Sequence, residues 1–297
     1  MKYITLISFA LLVWLNSLLA QSPDERQIAV CDIQTKEPIP YATIRYTENK
    51  GGTYTNTNGI FILDKALKDS LYISSIGYLD KKICRSDIIN DTIYLEPQVN
   101  ELPPLIVSKR KIVKEETLGV IKAKKFDGWR SNGSGEEFAQ NFFFPDTTKV
   151  YKIKTIIIGA GRFDPTIPIV IHIYNTGANG YPDKDILLKK IVLTKKDFKK
   201  SKKRFEIDIS AENILINESS CFIGFEWLPM PIIGSRWWPS SSLLLTEEFT
   251  TGFTYVKALR SSTKDKKWGK IPVLIPSLSQ TNNPTNTIMS IKVDVLE

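Results

Sequence analysis

The chain has 297 residues, of which 42% are hydrophobic, and a formal net charge of +8. This length allows two ordinary domains, and the composition is typical of a globular protein and excludes a disordered or low-complexity chain. The basic balance alone would fit a nucleic-acid partner, but the first residues predict export. We therefore expect no nucleic acid, and a polyanionic surface is the better match.

The N-terminal segment 1–20, "MKYITLISFALLVWLNSLLA", has the pattern of a secretory signal peptide. A lysine precedes an apolar run that ends at Asn16 and Ser17, short of the ~20 apolar residues that a membrane-spanning helix needs. We expect cleavage after Ala20, and no cysteine follows that could carry a lipid. The mature protein is predicted to be periplasmic, associated with the outer membrane or at the cell surface, with no transmembrane span.

Most of the mature chain is predicted to be β-structure. Its apolar segments are short, rich in β-branched and aromatic residues, and bounded by Gly, Pro, Asn or Asp, which is typical of strands between turns. We predict an all-β protein with a first β-sandwich over 27–97, a linker over 98–116 and a jelly-roll-like second sandwich over 117–297. Within the first, "GGTYTNTNGIF" at 51–61 predicts a hairpin turn.

Three cysteines do not make the disulfide framework of an exported protein, because such frameworks are dense and even-numbered. Cys31 and Cys84 lie in apolar strand-like runs of the first predicted domain. We favour buried free thiols there over a bridge between the two. Cys221 has no partner within its own predicted domain.

The strongest candidate for a catalytic base is His172, the one histidine of the chain, in "IPIVIHIYN". Strand alternation places Val170, His172 and Tyr174 on one face. No nucleophile elbow accompanies it, so we favour a packed strand histidine over a general base. No spacing of His and Cys predicts a zinc site, and we expect no cofactor, since prolines follow the two glycines of "IIIGAGRFDPTIP" where a dinucleotide fingerprint needs a helix.

Paired carboxylates are a second catalytic signal, because a glycosidase needs two acids across a bond. Adjacent residues of a strand point to opposite faces, so neither Glu136 with Glu137 nor Glu247 with Glu248 supplies both acids. A hydrolase requires some of these glutamates, together with Glu226, to meet in one cleft.

"NTGANGYPDKD", at 175–185, collects the oxygen ligands that calcium prefers. The same residues are those that a turn between two strands requires, and the spacing of an EF-hand is absent. We favour the turn and leave calcium open.

Two further segments are candidates for a binding surface. "GSRWWPSSS" carries Trp237 and Trp238, which either stack on sugar rings or pack into the protein. The basic run "KKDFKKSKKRF" either binds acidic glycans and headgroups or is a solvated loop. Its candidate ligand residues are Lys199, Lys200, Lys202, Lys203 and Arg204.

The first predicted domain resembles a known family through "TKEPIPYATIRY", "GTYTNTNGIFIL" and "DSLYISSIGYLDKKI". These segments are similar to the carboxypeptidase regulatory-like domain, a prealbumin-like β-sandwich common in exported proteins of the Bacteroidetes. The matching positions are Pro38, Ile39, Pro40, Ala42, Ile44, Gly52, Thr53, Thr55, Asn56, Gly59, Phe61, Ser75, Ile76, Gly77 and Tyr78. The resemblance implies an accessory module without an active site.

Together these patterns predict a non-enzymatic, exported envelope protein that acts as a binding or assembly module for a glycan or an envelope protein. One alternative is a carboxylate-dependent hydrolase acting on envelope material or polysaccharide. The other is a structural protein that only tethers its partners.

Overall fold

The computed structural model describes residues 25–47, 51–64, 70–98, 110–120, 126–130, 135–159, 161, 167–194, 197, 204–229, 242–246, 252–257, 268–270 and 286–297. It is an all-β protein, as predicted, with two β-sandwiches. In the described part of the chain, no helix is long and apolar enough to cross a membrane.

The first sandwich is built from seven short strands. They are β1 (Glu25–Asp32), β2 (Thr43–Tyr46), β3 (Gly52–Tyr54), β4 (Ile60–Asp64), β5 (Leu71–Ser74), β6 (Lys81–Ile83) and β7 (Thr92–Leu95). One sheet has the order β4-β1-β7, with β7 parallel to β1, and the other has the order β3-β2-β5-β6. Alternate residues of β1, β2, β4, β5 and β7 point inwards and form one buried apolar core between the two sheets.

The segment 51–61 does not form the predicted hairpin. Strand β3 pairs with β2, whereas β4 pairs with β1, so this segment carries the chain from one sheet to the other. The turn chemistry itself is as the residues require: Asn56 Oδ1 accepts hydrogen bonds from the backbone N–H groups of Asn58 and Ile60, and Gly59 has a φ of 71°. The asparagine and glycine pattern specifies a tight turn, but it does not determine with which strands the flanking strands pair.

The second sandwich contains the remaining fifteen strands that the structure describes. They are β8 (Ile112–Gly119), β9 (Phe126–Arg130), β10 (Glu137–Phe143), β11 (Val150–Gly159), β12 (Ile169–Thr176), β13 (Pro182–Asp185), β14 (Ile191–Leu193), β15 (Arg204–Asp208), β16 (Leu215–Ile216), β17 (Ser220–Trp227), β18 (Ser242–Thr246), β19 (Thr254–Lys257), β20 (Gly269–Lys270), β21 (Asn286–Thr287) and β22 (Met289–Leu296).

Two large sheets enclose the core of this sandwich. One has the order β13-β12-β17-β10-β19-β20, with β14 also on β12, and the other has the order β15-β11-β22-β8, with β16 also on β11. A three-stranded sheet, β21-β18-β9, lies beside them. Apolar residues from both large sheets, including Phe138, Ile171 and Ile291, are buried against one another. The alternation predicted for β12 is confirmed, since Ile169, Ile171 and Ile173 face this core.

Strand β8 starts inside the segment predicted as a linker, 98–116. Its residues pair with the last strand, from Ile112 opposite Leu296 to Gly119 opposite Ser290. Because β22 is the one strand paired with β8 among the described residues, β8 forms an edge of its sheet, where Ile112 to Glu115 are exposed.

All three cysteines are unpaired. Cys221 is buried, and Cys31 is partly buried. The predicted burial of Cys84 is wrong: this residue is exposed after β6, at the end of the sheet, where its side chain contacts the Ser70 hydroxyl.

Candidate functional site

The first sandwich rests on the outer face of the seven-stranded sheet, opposite the apolar core of the second sandwich. Because side chains alternate along a strand, Glu137 of β10, His172 of β12 and Glu226 of β17 lie on the face away from the core, and they line this junction. There the two sandwiches enclose a cleft of ≈ 240 Å³. Charged groups that lie far apart in the sequence meet in its wall.

Glu226 is the charge at the centre of the junction. It belongs to β17, is buried, and lies opposite Glu137 of β10 in the register. Arg45 of the first sandwich donates from Nη2 to Glu226 Oε1 at 2.6 Å, and the Thr43 hydroxyl donates to the same carboxylate at 3.3 Å. Arg45 is buried as well. Burial raises the pKa of Glu226, but Arg45 and then His172 outweigh it and hold the pKa at about 2, so the carboxylate stays ionised.

His172 lies between two carboxylates. Its Nδ1 is 2.8 Å from Asp185 Oδ2, and its Nε2 is 3.5 Å from Glu226 Oε2. Burial lowers the pKa of the imidazole, but Glu137, Asp185 and Glu226 more than compensate and raise the pKa to about 10. The histidine is therefore held as an imidazolium: its Nδ1–H donates to Asp185, whereas its Nε2 lies near Glu226 without forming a hydrogen bond.

Glu137 is held in the same way on the neighbouring strand. The Tyr174 hydroxyl donates a short hydrogen bond to Glu137 Oε1, and Lys257 Nζ lies 3.2 Å from Glu137 Oε2. Burial opposes ionisation, but Lys257 and then His172 lower the pKa of this carboxyl. Tyr174 and Lys257 also contact the indole of Trp268, which closes this end of the cluster.

Two cations of the cleft wall have no carboxylate within salt-bridge distance among the described residues: the exposed Lys184 and the partly buried Lys190. The Lys190 ammonium donates to the backbone carbonyl of Tyr41, in the first sandwich, at 2.7 Å. Burial lowers the pKa of Lys190 to about 8, and the attraction of Glu226 and Asp185 offsets this only in part. This side chain therefore keeps unused capacity to donate to a negative group.

Beside Arg45 and Asp80, the first sandwich supplies an uncharged stretch of the cleft wall. Ser74 and Ser75, at the end of β5, line the cleft together with Ile76, Gly77 and Tyr78. Gly77 has a φ of 82°, which lets the chain turn beside the second sandwich, and Ile76 packs against that sandwich's core. The "SSIGY" segment thus forms part of the domain contact.

The structure brings together two of the glutamates that the hydrolase hypothesis required, Glu137 and Glu226. Glu136 is buried just before β10 and does not line the cleft, whereas Glu247 and Glu248 lie outside the described residues. The predicted position of His172 on a strand is confirmed. Its side chain, however, is an ion-paired cation and not merely a packed residue.

Of the binding residues predicted from the sequence, the structure describes Arg204 alone. Trp237, Trp238 and the lysines Lys199, Lys200, Lys202 and Lys203 are outside the described residues. Arg204 begins β15, where it pairs with Gly159 on the sheet that does not form the cleft. These residues stay a prediction.

The segment 175–185 comprises the end of β12, the turn at 177–181 and strand β13. Asn179 Oδ1 accepts from the N–H of Tyr181, and Asn175 Oδ1 accepts from the N–H of Lys184. These two amide oxygens thus act as turn acceptors. Within the described ranges, no group of three or more His, Cys, Asp or Glu residues is placed to hold a metal ion.

Three residues of the cleft were not predicted from the sequence as site residues, namely Arg45, Lys190 and Lys257, and Asp185 was considered only as part of the possible calcium segment 175–185. The available signal was a charge inside an apolar strand run, as in "YATIRYT" and "CFIGFEWL". A buried charge in such a run needs a partner, but the sequence does not say where the partner is.

Comparison with protein families identifies the first sandwich. The model of the CarboxypepD_reg-like domain matches residues 29–107, which confirms the resemblance carried by 27–97. This family is a regulatory, non-catalytic β-sandwich domain. No curated protein matches the chain.

The similar solved structures share little sequence with the chain. A clostridial cysteine protease, Cwp84, is 11% identical with a TM-score of 0.39, and the match covers 91% of this chain and 70% of that one. The VP2 subviral particle of infectious bursal disease virus is 10% identical with a TM-score of 0.25, over 86% of this chain and 58% of that one. At these scores, neither match carries a functional argument.

Proposed function

We propose that this protein is a non-catalytic binding module whose ligand site is the cleft between its two sandwiches. The observation that carries the proposal is the composition of the cleft: both sandwiches contribute polar walls, and buried charges bridge them. A concave site with a few convergent polar groups at a domain junction is the usual form of a ligand site. The partner is a glycan or another component of the cell envelope, reached after export directed by segment 1–20.

The charge states of Glu226 and His172 support binding rather than acid–base catalysis by these two residues. General acid–base catalysts work best with pKa values near the operating pH. In this cleft, Glu226 has a pKa of about 2 and His172 a pKa of about 10, so neither exchanges protons readily at neutral pH. A glycosidase needs one carboxyl whose pKa is raised, whereas the pKa values of both glutamates are lowered.

Retention on immobilised envelope polysaccharides tests this proposal. Ser75→Trp fills the cleft from the first sandwich, and Ser86→Trp is the matched control because Ser86 is exposed and lies outside the cleft wall. We expect retention to be lost in Ser75→Trp and kept in Ser86→Trp, with both proteins folded by circular dichroism. Equal retention in the two variants would contradict a site in the cleft. Loss only in Trp237→Ala plus Trp238→Ala would assign binding to the two tryptophans instead.

The hydrolase stays a second candidate because Glu137 and Glu226 meet across neighbouring strands. Release of reducing ends from the same polysaccharides separates the two functions. We expect no release by the wild-type protein. Release that is abolished in both Glu137→Gln and Glu226→Gln would establish the hydrolase, and capture of an envelope protein without any glycan would favour the tether.

A further inference from the structure

We infer that the cleft takes a small hydroxylated anion, such as an acidic monosaccharide, with the anionic group on Lys190 and the hydroxyl groups on the serine wall. The inference rests on the proposed function and specifies its ligand. It follows from comparing the donors and acceptors of the cleft that already have hydrogen-bond partners with those that remain available to a ligand.

The buried acceptors of the cleft are already engaged. Glu226 receives Arg45 and the Thr43 hydroxyl, with His172 close to its second oxygen, and Glu137 receives Tyr174 and Lys257. Both oxygens of Asp185 also have donors: Oδ2 is paired with His172, and Oδ1 accepts the backbone N–H groups of Ile173 and Leu187. A cationic ligand would have to displace these contacts.

Lys190, in contrast, has N–H groups left over. An ammonium has three N–H groups, and the hydrogen bond that the structure shows for Lys190 goes to a neutral carbonyl, that of Tyr41. The walls of the cleft carry five cationic side chains and five carboxylates, so the excess of donors is local to Lys190. An anion bound beside Lys190 would satisfy these remaining N–H groups.

The rest of the wall limits the size and character of the ligand. A volume of ≈ 240 Å³ is below the ~300–1,000 Å³ of sites for drug-sized molecules, so the ligand is small. The side chains of Ser74 and Ser75 offer hydroxyl groups, each both donor and acceptor, which match the hydroxyl groups of a sugar. A hydrophobic anion would leave the serine hydroxyl groups of this wall without hydrogen-bond partners from the ligand.

Titration calorimetry of the full chain at pH 7 tests the inference with defined probes. D-glucuronate and D-glucose 6-phosphate are the hydroxylated anions, D-glucose is the neutral sugar, and acetate and inorganic phosphate are the bare anions. We expect the two sugar anions to bind more tightly than glucose and than the corresponding bare anion. Tighter binding of glucuronate than of glucose 6-phosphate assigns a carboxylate ligand, and the reverse order assigns a phosphate.

Lys190→Gln is the variant that isolates the anion contact, and Lys189→Gln is its control because Lys189 is exposed and outside the cleft wall. Loss of a charge-assisted hydrogen bond predicts binding of the sugar anions weaker by about tenfold or more in Lys190→Gln. We expect Lys189→Gln to bind as the wild type does. Equal binding by the two variants would overturn the inference.

The outcomes also separate this inference from the proposed function. If glucose binds as tightly as glucuronate and Ser75→Trp blocks both, the cleft is a ligand site but the anion specificity is wrong. If no probe binds and Ser75→Trp leaves polysaccharide retention unchanged, the proposed function and the inference both fail.

Discussion

At the scale of single residues, the contact between Arg45 and Glu226 carries most of the argument. Both side chains are buried, and each comes from a different sandwich. A buried pair is weak evidence for net stability, because desolvation opposes the attraction. Removing one member is nonetheless costly, since the other is left as an uncompensated buried charge.

We therefore predict that Arg45→Met lowers the free energy of unfolding by about 3–5 kcal/mol. The exposed pair between Arg26 and Asp91 provides the control, and Arg26→Met should cost no more than about 1 kcal/mol. Urea denaturation measures both. The double variant Arg45→Met with Glu226→Leu should recover part of the loss, and equal effects of the two single variants would contradict the role of the buried pair.

His172 gives a prediction about pH. Its pKa of about 10 means that the imidazolium persists through neutral pH. Because the chain has one histidine, its ring signals in an NMR titration are unambiguous. We expect their chemical shifts to stay constant from pH 5 to about 8.5 in the folded protein, and a titration midpoint near the ordinary value of about 6.5 would contradict the ion-paired cluster.

The same shift predicts how stability depends on pH. The folded pKa of His172 is above the unfolded value of about 6.5, so its contribution is complete below that pH and is lost as the pH rises towards about 10. Lys190 has its folded pKa lowered to about 8, so its contribution to stability instead increases as the pH rises above 8. Urea denaturation should therefore compare the wild type with His172→Asn. We expect the difference between their free energies of unfolding to shrink from pH 6.5 to 10.

At the scale of elements, two glycines of the second sandwich have a positive φ but differ in their surroundings. Gly119 has a φ of 100°, and a Cβ there would lie 2.5 Å from the Met289 carbonyl oxygen and 2.8 Å from the Phe142 ring. Gly180, in the β12–β13 connection, also has a positive φ, of 75°, but a Cβ at this position would have no atom within 4 Å. The first position combines backbone strain with a clash, whereas the second has backbone strain alone.

We predict that Gly180→Ala costs about 1 kcal/mol of stability and that Gly119→Ala costs at least about 2 kcal/mol. Urea denaturation of the two variants is the measurement. A cost for Gly119→Ala no larger than that for Gly180→Ala would show that β8 is not held tightly against β22.

At the scale of the whole molecule, Glu226 of the second sandwich lies between Arg45 of the first sandwich and His172 at the junction. Glu226→Arg places a second guanidinium against Arg45 and His172, so we expect the sandwiches to separate. Small-angle X-ray scattering should then show a larger radius of gyration, with both sandwiches still folded. Glu212→Arg, at an exposed position outside the cleft wall, is the control and should leave the radius unchanged.

Much of this architecture could be predicted from the sequence, because it depends on local patterns. Turn residues between short β-branched runs predict strands, and "TKEPIPYATIRY" with "SSIGY" identifies the first sandwich. The alternation of β12 placed His172 on the face away from the core. Each of these signals lies within a few neighbouring residues.

The candidate site, in contrast, was decided by the tertiary structure. Arg45 and Glu226 are 181 residues apart, and no periodicity links them. The turn at 51–61 could be predicted, but the transfer of the chain between sheets could not, because strand pairing depends on which apolar faces pack together in the folded protein. The sequence by itself determined the strands, the turns and the family of the first sandwich. The packing of one sandwich on the other determined which charges are buried together, and so where a ligand can bind.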